Sequence, residues 1–488
     1  MYSICLLSIL LQSCLFHYPT APIKEPETVT EEPTEKGVDI SATVYPGHSE
    51  GKISDKLTGF NLLYSFEKDE LWNNDPKKRF IGYLKAMGTK ILRYPGGKIL
   101  EAWHWENPNG QPYMDNWNAD YNPSNDKEPS EYMDLQEYME LMSELNAEPL
   151  LGVNISSGTI SGRGINESVE EAERLVQYCL NNNYNVTYYY LGNEPYHGDA
   201  TLKLTAKQYG EAVNRFTTAM KQIDHNIKII VNWERNVNAA TMATLLNTAG
   251  NNIDIMDFHW YWSWGTSTWD LWKSQIPMSA KNQWYTGGKS HYEEVKKFKD
   301  FAAKLGFNHI EVASLEWNLG PSPNDQMLPN TYQIALMQGE MLMQFMEGGV
   351  IMATFWPLHW PDSSDERYVL DANENYSPHY TLDVFSLLAS LQGGELLKVN
   401  TKTSQLYAIG SKFSNGTIRV ALLNKNFLEQ KFVLDVDGGF SGKTVKSKTF
   451  KESDNKVEAE VISLECQIKS EKIYTSLPPY SITVINIE

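Results

Sequence analysis

Two glutamates stand out because each closes an apolar run. Tyr188-Tyr189-Tyr190-Leu191-Gly192 leads into Asn193-Glu194-Pro195, and Ile310-Glu311-Val312-Ala313-Ser314-Leu315 leads into Glu316-Trp317-Asn318. A carboxylate delivered beside apolar surface is costly to keep charged unless it is compensated, and its pKa tends to rise. Two such groups facing one another suit the cleavage of a glycosidic bond. One protonates the leaving oxygen while the other attacks the anomeric carbon or activates water. A separation of about 5–5.5 Å would favour retention through a covalent intermediate. Either glutamate alone reads equally well as a salt-bridge partner; the pair points to catalysis.

Other groups gather around this pair in the sequence. Asp257-Phe258-His259-Trp260-Tyr261 ends another apolar run. There Tyr261 is expected to donate a hydrogen bond to Glu316, and His259 either to contact substrate or to be a satisfied structural residue. Trp356 ends the last run and would floor a sugar ring or pack in the core. Asn154 and Trp317, also at run ends, are further candidate substrate contacts. No His, Cys or carboxylate motif has zinc-ligand spacing, and the reaction needs neither metal nor cofactor.

The elements that must position these residues repeat in a regular alternation. Strand-like apolar runs fall at residues 59–64, 90–94, 149–155, 186–191, 227–232, 253–260, 309–316 and 351–356. A helical pattern follows each. The first is expected at 76–87, with Asp75 as N-cap and Pro76 at the first helical position. Ser168-x-x-Glu171 and Thr205-x-x-Gln208 read as capping boxes, Asn330 as the cap of 331–346, and 380–391 as the last helix. Continuous apolar strands alternating with helices indicate a parallel sheet covered on both sides. Eight such units predict an α/β fold, a (β/α)₈ TIM barrel over residues 58–394, whose functional groups sit where the strands end. Gly96-Gly97 lacks the spacing of a nucleotide-binding loop.

Beyond the barrel the texture changes to short alternating runs at 406–410, 417–423, 431–436, 444–449, 457–461 and 481–487. These predict a C-terminal antiparallel β-sandwich domain over 395–488, which a strand within 40–57 is expected to join. Residues 1–14 read as a targeting segment: an apolar stretch too short to span a bilayer, ending in Leu11-Gln12-Ser13-Cys14. That ending resembles a bacterial lipoprotein signal, with Cys14 as the lipidated residue and an ordinary secretory signal as the alternative. Residues 15–39, rich in Pro, Glu and Thr, read as a disordered tether. The expected location is therefore extracytoplasmic, on the outer membrane or in the periplasm of a Gram-negative bacterium, with the lipid anchor as the sole link to a membrane. Cys179 and Cys466 imply no disulfide framework. A formal charge of −19 excludes a nucleic-acid partner on electrostatic grounds, leaving a carbohydrate as the expected one. Nothing in the sequence sets the oligomeric state.

Asn-Glu closing the fourth strand and Glu closing the seventh resemble clan A of the glycoside hydrolases. Within that clan the chain is most similar to the family 51 α-L-arabinofuranosidases and related families. Leu92-Arg93-Tyr94-Pro95-Gly96-Gly97, the approach 184–193, the segment 209–227 and Leu477-Pro478-Pro479-Tyr480-Ser481 carry the similarity. The resemblance implies that Glu194 is the general acid/base and Glu316 the nucleophile of a retaining hydrolase. It also implies that Asn193 holds a sugar hydroxyl and that Arg93 keeps Glu316 ionised. Two departures bear on the sugar. Asn61 is the only polar candidate where the family carries a Glu after the first strand, and Leu315 replaces the usual Asp before Glu316. The loops after strands two and six are also rich in aromatics: Trp103, Trp105, Trp117 and Tyr121, then Trp260, Trp262, Trp264, Trp269, Trp272 and Trp284. Such platforms favour an endo-acting β-glycanase, agarase-like or xylanase-like, as the rival reading. A non-catalytic glycan-binding surface lipoprotein is the third, disfavoured because both glutamates are present.

Overall fold

The computed structural model describes residues 39–106, 132–155, 165–197, 203–234, 240–275, 277–278, 290–322, 331–360, 366–372, 374–454 and 458–488. The proposed signal and tether up to residue 38, with Cys14, and also Trp117, Tyr121, Trp284 and Asn330 lie outside these residues.

After an opening strand β1 (Ile40–Lys52), eight parallel strands close into a barrel: β2 (Gly59–Asn61), β3 (Ile91–Tyr94), β4 (Glu148–Val153), β5 (Tyr188–Leu191), β6 (Lys228–Asn232), β7 (Ile255–Trp262), β8 (Glu311–Leu319) and β9 (Met352–Phe355). β2 pairs with both β3 and β9, which completes the ring. The main helices between and after them are α1 (Asp75–Ala86), α2 (Leu135–Leu145), α3 (Ile165–Asn181), α4 (Ala206–Ile223), α5 (Ala240–Ala249), α6 (His291–Lys304), α7 (Thr331–Gly348) and α8 (Thr381–Ala389). Each strand is buried on both faces, against the barrel interior and the helical ring, which is why the runs are continuously apolar.

Helix starts follow local chemistry, with two corrections. The Thr205/Gln208 box is present, the Thr205 hydroxyl accepting from Gln208 N and Gln208 accepting from Thr205 N. Two boxes the sequence reading passed over, Asp134/Glu137 and Ser290/Glu293, open α2 and α6. Asp75 is not an N-cap; it is the first residue of α1, and Asn74 precedes it. Ser168 and Glu171 lie inside α3 rather than at its start. Glu171 is instead drawn inward to the buried His104, 2.8 Å from its Nδ1.

The C-terminal part forms one ten-stranded hydrogen-bonded order that wraps around its own core. It runs Ala459–Ile462, Val445–Glu452, Ser481–Ile487, Ile418–Asn424, Leu406–Lys412, Glu395–Thr401, β1, Gln430–Val436, Lys472–Leu477, Gln467–Lys469. β1 sits in the middle, antiparallel to Glu395–Thr401 and parallel to Gln430–Val436. Its Ile40, Ala42 and Val44 face a core shared with Val420, Leu434 and Ile485. The opposite face contributes Phe450, Ile482 and Val484 to the barrel's own core, so α7 and α8 are clamped between the two layers. Gly339 in α7 makes this approach possible, since a Cβ there would meet Ile482 at 2.6 Å.

One buried ion pair locks this seam. Lys425 Nζ lies 2.9 Å from Glu340 Oε2, donates to Gln275 O and sits 4.1 Å from the Trp272 ring centre. Glu340 also accepts from Met278 N. Cys179 is buried, Cys466 is half-buried, and both are free thiols. Among the described residues no helix is long and apolar enough to cross a membrane.

Candidate active site

At the C-terminal rim of the barrel the apolar strands end in polar side chains that converge: Asn61 on β2, Arg93 on β3, Asn232 on β6, Asp257 and His259 on β7, Glu316 on β8. Asn193 and Glu194 follow directly on β5. The turn that presents Glu194 is tight. Gly192 has φ +72°, and a Cβ there would meet Ile155 at 2.7 Å, so only glycine fits. Glu194 itself has φ +46°, an uncommon conformation for a residue with a side chain, held here by a bond from its N–H to Asn232 Oδ1 at 3.0 Å.

Glu316 is enclosed by donors. Arg93 Nη1 is 2.8 Å from its Oε1, and Tyr261 OH donates to its Oε2 at 3.1 Å. Arg93 is fully buried. Burial opposes its charge, yet the Tyr190 ring 4.4 Å away and the Glu316 and Asp257 carboxylates hold its guanidinium firmly protonated. The same guanidinium donates to Asn193 Oδ1 at 2.7 Å. One cation thus orients both the residue before the acid/base candidate and the nucleophile candidate.

His259 lies between the two glutamates. Its Nδ1 is 2.9 Å from Glu194 Oε1 and 3.3 Å from Glu316 Oε2, while Nε2 is 3.1 Å from Asp257 Oδ2. Both ring nitrogens face carboxylate oxygens, which calls for a proton on each. Burial works against that charge, but the negative charges of Glu316 and Asp257 and the Nδ1 contact to Glu194 prevail, and the imidazole is pushed up to about 10; Nε2 meets Asp257 at ion-pair distance without the alignment of a hydrogen bond. Glu194, His259 and Glu316 each offer a ligand atom within 4.8 Å of the others. Such spacing would admit a cation only at the expense of the imidazole proton on Nδ1. The cluster is built as an ion-paired set.

Glu194 keeps 27% of its side chain exposed, against 7% for Glu316. The acid/base candidate therefore faces the cleft, while the nucleophile candidate is fixed from behind. Such an arrangement can deliver a proton from the open side and a nucleophile from the clamped one.

Several residues expected at the substrate turn out to have other duties. The Asn61 amide is wholly buried and spent on Leu315 O, Thr354 O and Phe355 O, with Oδ1 taken by Arg93, so it straps β8 and β9 together. Trp317 points outward into the core, stacked on Phe385 and edge-on to Phe345 and Phe355, because alternation along β8 sends it opposite to Glu316. His259 is buried and reaches the glutamates, not a ligand space. Asn154 is nearly buried and donates to Trp103 O at 3.1 Å. Trp356 remains half-buried over Gly97, where a Cβ would strike its ring at 2.3 Å, and keeps a face available. The aromatic loops are less open than their composition suggests: Trp103, Trp260, Trp262 and Trp272 are core, leaving Trp105, Trp264 and Trp269 half-buried among the described residues. Residues missed by the sequence reading are Asn232, Asp257 and Glu101, the last accepting from Asn193 N. A polar side chain inside an otherwise apolar strand was the available signal for the first two.

The family model of the alpha-L-arabinofuranosidase 1 domain matches residues 83–275, a stretch that holds Arg93, Glu194 and His259 and stops short of Glu316. A probable alpha-L-arabinofuranosidase C from Aspergillus fumigatus is 23% identical over 179 residues, and the match spans 32% of this chain and 32% of that relative's length. The alpha-L-arabinofuranosidase from Thermotoga maritima, solved as an arabinose complex, has a TM-score of 0.70 at 19% identity, covering 92% of this chain and 100% of that one. The family 51 arabinofuranosidase from Xanthomonas axonopodis pv. citri gives 0.72 at 14% identity with the same coverage. At these identities the likeness is one of fold, and it extends over barrel and sandwich alike.

Proposed function

We propose that this chain is a retaining glycoside hydrolase that releases α-L-arabinofuranosyl groups from plant or algal polysaccharides or oligosaccharides. The observation that carries the reading is the approach of Glu194 and Glu316, whose nearest carboxylate oxygens lie within 4.8 Å across the barrel mouth. That close approach favours direct attack by one carboxylate over activation of a water held between carboxylate and sugar. Glu316 attacks the anomeric carbon, with hydrogen bonds from Arg93 and Tyr261 holding its carboxylate in place. Glu194 protonates the departing oxygen in the same step. In the second step Glu194 takes a proton from water, which attacks the same carbon and releases the sugar and Glu316. Asn193, held by Arg93 on one side of the sugar position, supplies a polar contact that strengthens as charge develops there.

The family match over 83–275 and the arabinose-complexed structural neighbour support this choice of sugar. Burial of Trp103, Trp260, Trp262 and Trp272 removes four of the ten aromatic platforms on which an endo-acting reading rested. The chain acts outside the cytoplasm, tethered through a lipidated Cys14, as its first residues suggest.

The test is a panel of aryl glycosides and polysaccharides assayed with the parent protein, Glu194→Gln and Glu316→Gln. Arabinose release from an aryl α-L-arabinofuranoside, lost in both variants, is expected. A ladder of oligosaccharides from a β-glycan would instead assign an endo-glycanase. No hydrolysis of any substrate by the parent would leave a glycan binder.

A further inference from the structure

The carboxylate of Asp257 is almost completely buried, never reaches the cleft, and yet touches the supports of both catalytic glutamates. Its Oδ1 accepts from Leu315 N at 2.6 Å, the residue immediately before Glu316. Its Oδ2 accepts from Asn232 Nδ2 at 2.9 Å, and Asn232 in turn accepts from Glu194 N. The same oxygen lies 3.1 Å from His259 Nε2.

The need for this carboxylate arises in the strand pairing. β7 and β8 run in register until Asp257 faces Ala313, and then His259 faces Glu316, so β8 carries one extra residue. Such a bulge leaves backbone groups without ladder partners. The Leu315 N–H is one of them, and Asp257 takes it; the Ser314 hydroxyl closes the other side by donating to Phe258 O at 2.9 Å. The bulge turns Glu316 into the barrel mouth, and Asp257 holds it there.

We propose that Asp257 is a positioning residue for the catalytic pair, locking the His259 ring between Glu194 and Glu316 and anchoring the backbone beside each of them. The idea rests on the hydrolase reading for its kinetic consequences but not for its geometry. The charges facing His259 come from its own strand (Asp257, and Tyr261 beyond it), from β8 (Glu316), from the end of β5 (Glu194), and through Glu316 from β3 (Arg93). Asp257 is the only one of the three carboxylates around the ring that the proposed chemistry leaves unused. A fixed anion on Nε2 keeps a proton there and commits Nδ1 to donating toward the two glutamates.

Asp257→Asn removes the charge beside His259 and, with it, the acceptor for Asn232 Nδ2, while sparing the Leu315 N contact. The Asn carbonyl oxygen can still accept from Leu315 N, while its amide now meets the ring as a donor and disfavours the Nε2 proton. Ring-nitrogen NMR titration of the free protein, with the His259 signal assigned by its loss in His259→Asn, is expected to show the imidazole falling from about 10 toward the usual 6.5. With an aryl glycoside, kcat should fall on the order of 100-fold with KM nearly unchanged. In the His259→Asn background, the same substitution should cost clearly less than it does in the parent, because the path through the ring is already gone and only the Asn232 support of Glu194 is still lost. An unshifted His259 titration, or a full additional loss in the double variant, overturns the proposal. The titration needs no substrate, so a parent protein without glycosidase activity would defeat the functional reading and still leave this test intact.

Discussion

The molecule buries charge in two places and uses it in opposite ways. At the seam between barrel and sandwich, Lys425 and Glu340 are both sealed from solvent, and every polar atom of the pair has a protein partner. Burial pulls the Lys425 amine below its usual value, against the opposing pull of Glu340. At the barrel mouth, Arg93, Asp257, His259 and Glu316 are as deeply placed, but the chain of contacts ends on Glu194, which opens to the cleft. A closed pair serves register; an open one leaves a carboxylate free to trade a proton. Depth of burial alone does not distinguish a structural ion pair from a catalytic one. What distinguishes them is whether the network terminates at a solvent-facing group.

The comparison can be broken from either end. The largest expected effect is at the mouth: Glu316→Gln should reduce kcat by about 10⁴-fold or more, a barrier change near 5 kcal/mol, while the denaturation midpoint stays close to the parent's. At the seam the pattern reverses. Lys425→Met strands a buried carboxylate and should destabilise the fold by about 3–5 kcal/mol in denaturant titrations, with kcat of the folded fraction unchanged. Replacing both partners, Lys425→Met with Glu340→Leu, should recover much of that loss, because no unpaired charge remains. A smaller effect separates the sites by pH. His259 has a folded-state value near 10 against 6.5 unfolded, so its stabilising contribution is complete below about pH 6.5 and fades as pH rises toward 10. Denaturation midpoints of the parent should decline over that window more steeply than those of His259→Asn.

Much of this is legible in the sequence. The barrel strands announced themselves as apolar runs because parallel strands are covered on both faces, and the two glutamates because they interrupt that pattern at strand ends. What stayed hidden follows from physics that sequence spacing does not carry. β8 continues to Leu319 past Glu316, since a bulge lets a carboxylate turn inward without ending the strand. Trp317 looked like a substrate contact beside Glu316, but neighbours on a strand face opposite ways, and it lies in the core. Asn61 looked like a substitute for a binding residue and is a strap. In the sandwich, Glu395–Thr401, Gln467–Lys469 and Lys472–Leu477 escaped notice because partly exposed strands carry lysines and mixed polarity rather than clean alternation. Asp257 escaped notice because its partners, Leu315 N and Asn232, come from other strands.

The central claim, that Glu194 and Glu316 act as acid/base and nucleophile across a short gap, is tested most directly by the stereochemistry of hydrolysis. Proton NMR of an aryl α-L-arabinofuranoside during turnover should show the α-anomer of arabinose forming first, with the β-anomer appearing only by later mutarotation. First appearance of the β-anomer would require a water between carboxylate and sugar, and would contradict the account.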